Sequence, residues 1–470
     1  MRTAICETLQ GESLALDSVR AQGTVVGRML EMSLEQKFRN TEPANVEVVY
    51  TFPLPWHAVL LGLEVELNGE TLHGVVKAKG AARAEYEEAL SEGHSGILVT
   101  VNPDRSYTLE LGNLMAGESC VVRLRYVQVL QPEQGSLRLM LPTTIAPRYG
   151  DAVRDGGFEP HAAQEVCATA EYPFNIEINI QGELVQAQIG SPSHRITTRT
   201  LSGVGTNASL QTQVKLADRA WLDRDFVLVF SELLHSSQGL ATWDRLNEEC
   251  GVVMASFTPK LTASSSKPAS VKVLVDCSGS MNGDSIQAAR SALQSILSTL
   301  NADDRFSLSR FGSSVEHRSK ALWKVAPASM ASAQRWVQTL EADLGGTEMN
   351  DAILSTLAIP GAERSDVLLI TDGEIHSIDP VLKSAKQSGH RFFVVGIGSA
   401  VAEGLLRRLA EDTGGSCEFV VAGEQVSPAI QRLFHRLRSL SVQQARIEWP
   451  ENYAIHATSE LPAGIFDGDE

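Results

Sequence analysis

Residues 271–278, Val-Lys-Val-Leu-Val-Asp-Cys-Ser, read as a continuous apolar run that ends on an acid and a hydroxyl. A run of that kind suits a parallel strand covered on both faces. It constrains the chain that follows, because parallel strands are joined by long crossovers, usually helices. The sequence supplies those crossovers in turn. Positions 285–300 carry the apolar stripe of an amphipathic helix, RFSLSRFG from Arg305 reads as a strand, 329–340 as a helix, and SDVLLITDG from Ser365 as a strand. A helix over 381–387, the strand-like RFFVVGIG from Arg391, and helices over 402–410 and 426–440 complete the alternation. Strands separated by helices predict a doubly wound α/β, Rossmann-like domain over residues 270–440.

The half of the chain before that domain has another grammar. Residues 20–52 alternate apolar and polar positions, as half-buried antiparallel strands do. Asn68-Gly69 tolerates positive φ and predicts a hairpin joining Leu61–Leu67 with Thr71–Val76. A short helix is expected over 81–90, with Gly93 as its stop. From Gly135 to Phe257, short runs such as LRLMLP, FNIEINI, RITTRTL and DFVLVFSE are spaced like the strands of a sandwich, and 146–165 reads as a surface loop. The Ser-rich stretch 261–270 reads as a linker. The fold class expected is therefore multidomain α and β: a β-rich module over 1–135, a β-sandwich connector over 136–265, the α/β domain over 270–440, and a strand segment over 441–470 that returns to the sandwich.

A chain of 470 residues suits about three domains. Its 40 basic and 57 acidic residues give a formal net charge of −17, which repels phosphate backbones and argues against nucleic acid as a partner. Six scattered cysteines without a CxxC pair read as reduced core thiols. The first residues lack the charged start and apolar core of a secretory signal, and nothing elsewhere approaches the roughly 20 apolar residues of a membrane span. A cytoplasmic location is expected, and the sequon at Asn207 then reads as a polar turn.

Chemistry concentrates at one place. Asp276, Ser278 and Ser280 alternate in the loop after the first parallel strand, with Gly279 expected to ease its path. In open α/β sheets, ligands sit outside the carboxyl ends of the strands. Thr347, in Leu-Gly-Gly-Thr, and Asp372, in Thr-Asp-Gly, fall at the tips expected of neighbouring strands. Five oxygen donors, two of them carboxylates, suit Mg2+, with Mn2+ and Ca2+ as alternatives. This set resembles the metal-ion-dependent adhesion site of the von Willebrand factor type A domain, whose pattern is DxSxS followed by a distant Thr and a distant Asp. The resemblance implies that the two Ser hydroxyls and Thr347 meet the metal directly and that the carboxylates of Asp276 and Asp372 act mainly through water. It also implies a protein partner that supplies an Asp or Glu to the open coordination position.

The N-terminal stretch resembles a known companion of that domain. QKFRN, VEVVYTFPLP, the Ala-Arg-Ala-Glu-Tyr helix and LGNLMAGESCVVRLRYVQVL are similar to the vault protein inter-alpha-trypsin (VIT) domain over about residues 11–130. The pairing resembles the inter-alpha-trypsin inhibitor heavy chains and their intracellular and bacterial relatives. The function expected is a non-catalytic, metal-dependent interaction protein. A Mg2+-dependent phosphohydrolase is the rival class, although Ser at 278 and 280 stands where a second nucleophile-loop Asp is needed. A third reading is a structural oligomerising protein with a vestigial site. Other residues read blandly: His376 as a solvated loop residue, Cys277 as core, Trp56 as a β-module anchor, Tyr86 and Tyr126 as packing, and the basic run Arg432, His435, Arg436 and Arg438 as a solvated helix face.

Overall fold

The N-terminal half is built on one nine-stranded sheet that shares its core with two four-stranded sheets. In the large sheet the order is Ile196–Ser202, Leu210–Leu216, Pro173–Gln181, Ala15–Val26, Met29–Arg39, Ser119–Val129, Val59–Leu67 and Glu70–His73, with Ala220–Trp221 pairing the start of Pro173–Gln181. One small sheet contains Val46–Phe52, Tyr107–Leu114 and Gly96–Val101, and the other contains Ser136–Leu141 and Phe226–Ser231. Alternation in the sequence becomes alternation in burial: along Met29–Arg39, Leu30, Met32, Leu34 and Phe38 point inward. The boundary expected at 135/136 is crossed by the large sheet, because Pro173–Gln181 runs parallel to Ala15–Val26 with Phe174 opposite Val19 and Gln181 opposite Val26. A single apolar cluster then extends from Leu16 to Phe230.

The computed structural model describes residues 3–4, 7–8, 15–67, 69–102, 106–133, 135–143, 166–167, 172–202, 210–233, 238–244, 249–258, 261, 268–361, 365–373, 378–398, 401–421, 424–439, 441–442, 445–449, 454–459 and 464–467. His376, the sequon at Asn207 and the loop expected at 146–165 lie outside them. The expected hairpin forms between Val59–Leu67 and Glu70–His73 around Gly69 at φ 75°, and its second strand stops at His73, short of Val76. The expected helix is α1, Lys79–Ser91, closed by Gly93 at φ 82°. Tyr126 is fully buried, and the ring of Tyr86 lies against Gly96. Among the described residues, no helix is long and apolar enough to cross a membrane.

The α/β domain has five parallel strands in the order Arg305–Phe311, Ser270–Asp276, Asp366–Thr371, Phe392–Ile397 and Ser416–Val420. Val315–His317 adds an antiparallel edge. Helices α2 (Asp284–Thr299) and α3 (Pro327–Gln338) cover one face, α4 (Met349–Leu357), α5 (Ile378–Ser388) and α6 (Glu403–Glu411) the other, and α7 (Val426–Arg438) returns to the first. Val271, Val273 and Val275 point to the first face and Leu274 to the second, so the central strand is apolar on both sides. Lys272 is the exception. Only 2% exposed, it reaches under α4 to donate from Nζ to the carbonyl of Leu357 at 2.7 Å, at the negative end of that helix.

Two expectations about the end of the domain are corrected. Arg436 is 1% exposed and binds Ser416 Oγ and Glu418, Arg432 also binds Glu418, and Arg438 binds Asp304, so three cations of the basic run face inward rather than solvent. The tail was expected to return to the sandwich. Instead Ser441–Val442 pairs with Ile465–Phe466, and Phe466 is buried in the α/β core beside Phe393.

Candidate metal centre

The chain leaves the strand Ser270–Asp276 toward one side of the sheet for its second strand and crosses to the other side for its third. The third is Asp366–Thr371, and the crevice between first and third is the topological switch point, where ligands bind in such sheets. Asp276 ends the first strand and Asp372 follows the third, so the topology alone brings two carboxylates 96 positions apart to one crevice.

Hydrogen bonds then fix the loops. Asp276 Oδ1 accepts from Ser278 N at 2.9 Å, and Oδ2 accepts from Thr371 Oγ1 at 2.6 Å, which joins the two strand ends. Gly373 N donates to Thr371 Oγ1 at 2.9 Å, holding the turn that carries Asp372. Ser278 and Ser280 place their hydroxyls 3.1 Å apart across a single 3-10 turn. The left-handed turns fall at Gly283, Gly345 and Gly373, with φ of 85°, 74° and 76°, rather than at Gly279. Gly279 serves through its N–H, which donates to the carbonyl of Gly345 at 2.7 Å and draws in the loop of Thr347. That loop is also held by Leu344 N on the carbonyl of Cys277 at 3.0 Å and by Gly346 N on Ser313 Oγ at 2.7 Å.

Asp276, Ser278, Ser280 and Asp372 thus sit at the ends of two neighbouring strands, while Thr347, expected at a strand tip, lies instead in the loop between α3 and α4, which the Gly279–Gly345 bond ties to the loop after Asp276. Asp276 and Ser278 are 0% exposed and Asp372 3%. Thr347 is 7% exposed, and its Oγ1 is buried without a hydrogen-bond partner. Burial, and then the neighbouring charge of Asp372, push Asp276 up to about 7, while the hydrogen bonds from Ser278 and Thr371 pull the other way. The buried carboxylate of Asp276, raised by its acidic neighbour, and the unused hydroxyl oxygen of Thr347 form a site that gains from a positive charge and an electron-pair acceptor. A divalent cation supplies both, and the all-oxygen donor set suits a hard ion. Both oxygens of Asp276 already accept hydrogen bonds, which favours contact through water for this carboxylate and direct contact for the hydroxyls. Among the described residues no cluster of three His, Cys, Asp or Glu gathers, so the donor set here is hydroxyls together with two carboxylates.

Sequence reasoning missed two supporting residues. Thr371 stands in the Thr-Asp-Gly signature, but its hydroxyl works backward onto Asp276. Ser313 was marked by no pattern, although it supports the Thr347 loop through both Oγ and N–H. Cys277 is fully buried, and burial followed by Asp276 pushes its thiol up to about 12, as for a core residue.

Comparison with known proteins matches two regions of the chain to family models. The model of the vault protein inter-alpha-trypsin domain matches residues 16–126, and a von Willebrand factor type A domain model matches 269–419. Human von Willebrand factor A domain-containing protein 5A is 26% identical over 98% of this chain and 62% of its own length. Human protein mono-ADP-ribosyltransferase PARP4 is 23% identical over 97% of this chain and 27% of its own length. The chain thus spans about three fifths of the first relative and about a quarter of the second. Among solved structures, the von Willebrand factor type A structure from Catenulispora acidiphila has a TM-score of 0.34 and 19% identity, covering 44% of this chain and 47% of that one. This chain is a protein in which a VIT domain precedes a von Willebrand factor type A domain.

Proposed function

We propose that this chain is a non-catalytic interaction protein that recruits a protein partner through a divalent cation, Mg2+ by its donor chemistry, held by Asp276, Ser278, Ser280, Thr347 and Asp372. The observation that carries this reading is the buried, partnerless Oγ1 of Thr347 on a loop that the Gly279–Gly345 bond ties to the loop of Asp276, whose carboxylate is buried beside that of Asp372. A bound ion there offers an open coordination position that an Asp or Glu of the partner fills. The chain's own residues do the rest. Ser278 and Ser280 present oxygen donors, Thr371 and Ser278 N orient Asp276, and the Gly279–Gly345 bond keeps Thr347 in register. The net charge of −17 opposes an acidic partner at long range, so the affinity is local and depends on the ion.

The reading against catalysis rests on what lines the crevice. Ser278 and Ser280 stand where a phosphoryl-transfer loop needs a second carboxylate, and Cys277 is a buried thiol with its pKa raised. Calorimetric titration with Mg2+ and Mn2+ tests the proposal. Saturable binding to the wild type that Asp276→Ala abolishes is expected, and equal heats in both proteins overturn it. Turnover of 4-nitrophenyl phosphate that disappears in Asp276→Ala would convert the protein into a phosphohydrolase.

A further inference from the structure

Helix α6 touches both the candidate metal centre and the N-terminal β half. At its start, Ala402 N donates to the backbone carbonyl of Asp372 at 3.0 Å. The following Gly373 is packed so tightly on the helix that a Cβ there would lie 3.1 Å from Leu406 Cδ2 and 3.2 Å from Ala402 Cβ. Leu405, Leu406, Leu409 and Ala410 are buried in the core and seat the helix on the sheet. Its outer side meets Trp56, in the loop between the strands Val46–Phe52 and Val59–Leu67. A Cβ on Gly404 would fall 2.5 Å from Trp56 Cε3 and 2.7 Å from Cζ3, so the indole lies directly on the helix backbone. At the far end, His57 Nε2 lies 4.0 Å from Glu411 Oε1. Two adjacent residues of the β half therefore span α6 from its first turn to its last.

Trp56 was expected to anchor its own module, and the structure gives it this other seat. A second attachment between the halves makes no hydrogen bond to the loop of Asp372 among the described residues, although it borders a cavity that Arg138 and Met140 share with His57 and with Glu403 and Arg407 of α6. Arg138 binds Glu424 through both nitrogens at 3.0 and 3.1 Å, beside the apolar contact of Met140 and Val227 with Val421. The two attachments separate a coupled contact from one that merely holds the halves together.

We propose that α6 couples occupancy of the metal centre to the seating of the VIT domain, through Asp372, Ala402, Gly404 and Trp56. This rests on the metal reading above. An ion that draws in the Asp372 carboxylate pulls on a loop bonded to the first turn of α6, and that turn is where the indole sits. By linkage the effect is reciprocal: freeing Trp56 must change the affinity for the ion by the same factor as the ion changes the seating.

The test uses the full chain with Mn2+ as the probe. Hydrogen exchange of the wild type with and without Mn2+ is expected to change both at 402–411 and at 53–58, and calorimetry of Trp56→Ala is expected to show a Kd altered about fivefold or more. Gly404→Ala, which presses a methyl into the indole from the other side, is expected to alter the Kd as well and serves if Trp56→Ala folds poorly. Arg138→Ala is expected to leave the Kd within about twofold, as a coupling confined to α6 requires. Exchange changes that stop before residue 402, or wild-type Kd values in both Trp56→Ala and Gly404→Ala, overturn the coupling while leaving the metal reading intact. Equal shifts in Arg138→Ala and Trp56→Ala overturn the α6 route. Absence of Mn2+ binding to the wild type overturns the metal reading and the coupling with it.

Discussion

Replacing Asp276 by Asn in metal-free protein isolates the tension at the candidate centre. Burial and Asp372 raise this carboxyl from 3.8 to about 7. A carboxyl whose folded pKa exceeds its unfolded one destabilises the fold when ionised. The penalty is absent below about pH 4, grows as the pH rises, and is complete above the folded value. A gap of about 3 units corresponds to about 4 kcal/mol at about pH 8. Asn escapes that penalty, and like protonated Asp276 it offers one carbonyl oxygen for Ser278 N and a donor for Thr371 Oγ1, so it mimics the neutral form at every pH. The variant should therefore match wild type within about 1 kcal/mol near about pH 4 and be more stable by roughly 2–4 kcal/mol near about pH 8, the difference opening as the pH rises. Urea denaturation in chelator across that range measures the difference, to which the relief of Asp372 from its charged neighbour adds in the same direction. A difference that is flat with pH, or that runs the other way, refutes the claim that Asp276 is a carboxylate held in want of a cation. Mg2+ at about 100 times its Kd should add about 2.7 kcal/mol to the wild type at about pH 8 and nothing to the variant.

Thr347→Val keeps the shape and removes only the buried hydroxyl, so metal-free stability should hold or rise by about 1 kcal/mol while calorimetric Mn2+ affinity falls at least about tenfold. Gly312→Ala would set a methyl 2.5 Å from the carbonyl oxygen of Leu344, at the root of the Thr347 loop. It should cost about 1–3 kcal/mol in urea denaturation and weaken Mn2+ binding without touching a donor. Arg436→Met leaves Glu418, 5% exposed, with one fewer cation and should cost roughly 3 kcal/mol, most of which Glu418→Gln in the same chain should restore.

Much of the fold was legible because its signals are local. The central strand, the helices α2, α3 and α5 to α7 and the hairpin at Gly69 each announce themselves within about ten residues through periodicity or a turn residue. Helix α4 was passed over although Met349, Ala352, Ile353 and Thr356 carry a helical period and are all buried. The Thr347 motif drew attention to the loop that precedes it. The strand Ser416–Val420 was missed because its five residues include Glu418, whose charge hides a buried position. That charge is answered by Arg432 and Arg436, 14 and 18 positions away and about one turn apart on a helix whose basic run reads from sequence as a solvated face.

The five site residues were legible for a different reason. Asp276, Ser278, Ser280 and Asp372 each stand at a strand end or in its exit loop, and parallel topology sends every such end to the same pole, whereas Thr347 lies in the loop between α3 and α4 and is drawn in by the bond from Gly279 N to the carbonyl of Gly345. No such rule connects Lys272 to the carbonyl of Leu357, 85 positions away, or Trp56 to Gly404, nearly 350 positions away. Those contacts depend on how one layer of the structure sits on another, which periodicity does not encode. A tryptophan on a turn and a glycine in a helix are each unremarkable alone. Their meeting has physical consequence because Gly404 lacks the side chain that would keep the indole off the backbone, and because that backbone begins one hydrogen bond from Asp372. Residues whose local chemistry looks wasteful, a large exposed-prone aromatic or a helix-weakening glycine, are where a second half of the molecule is worth looking for.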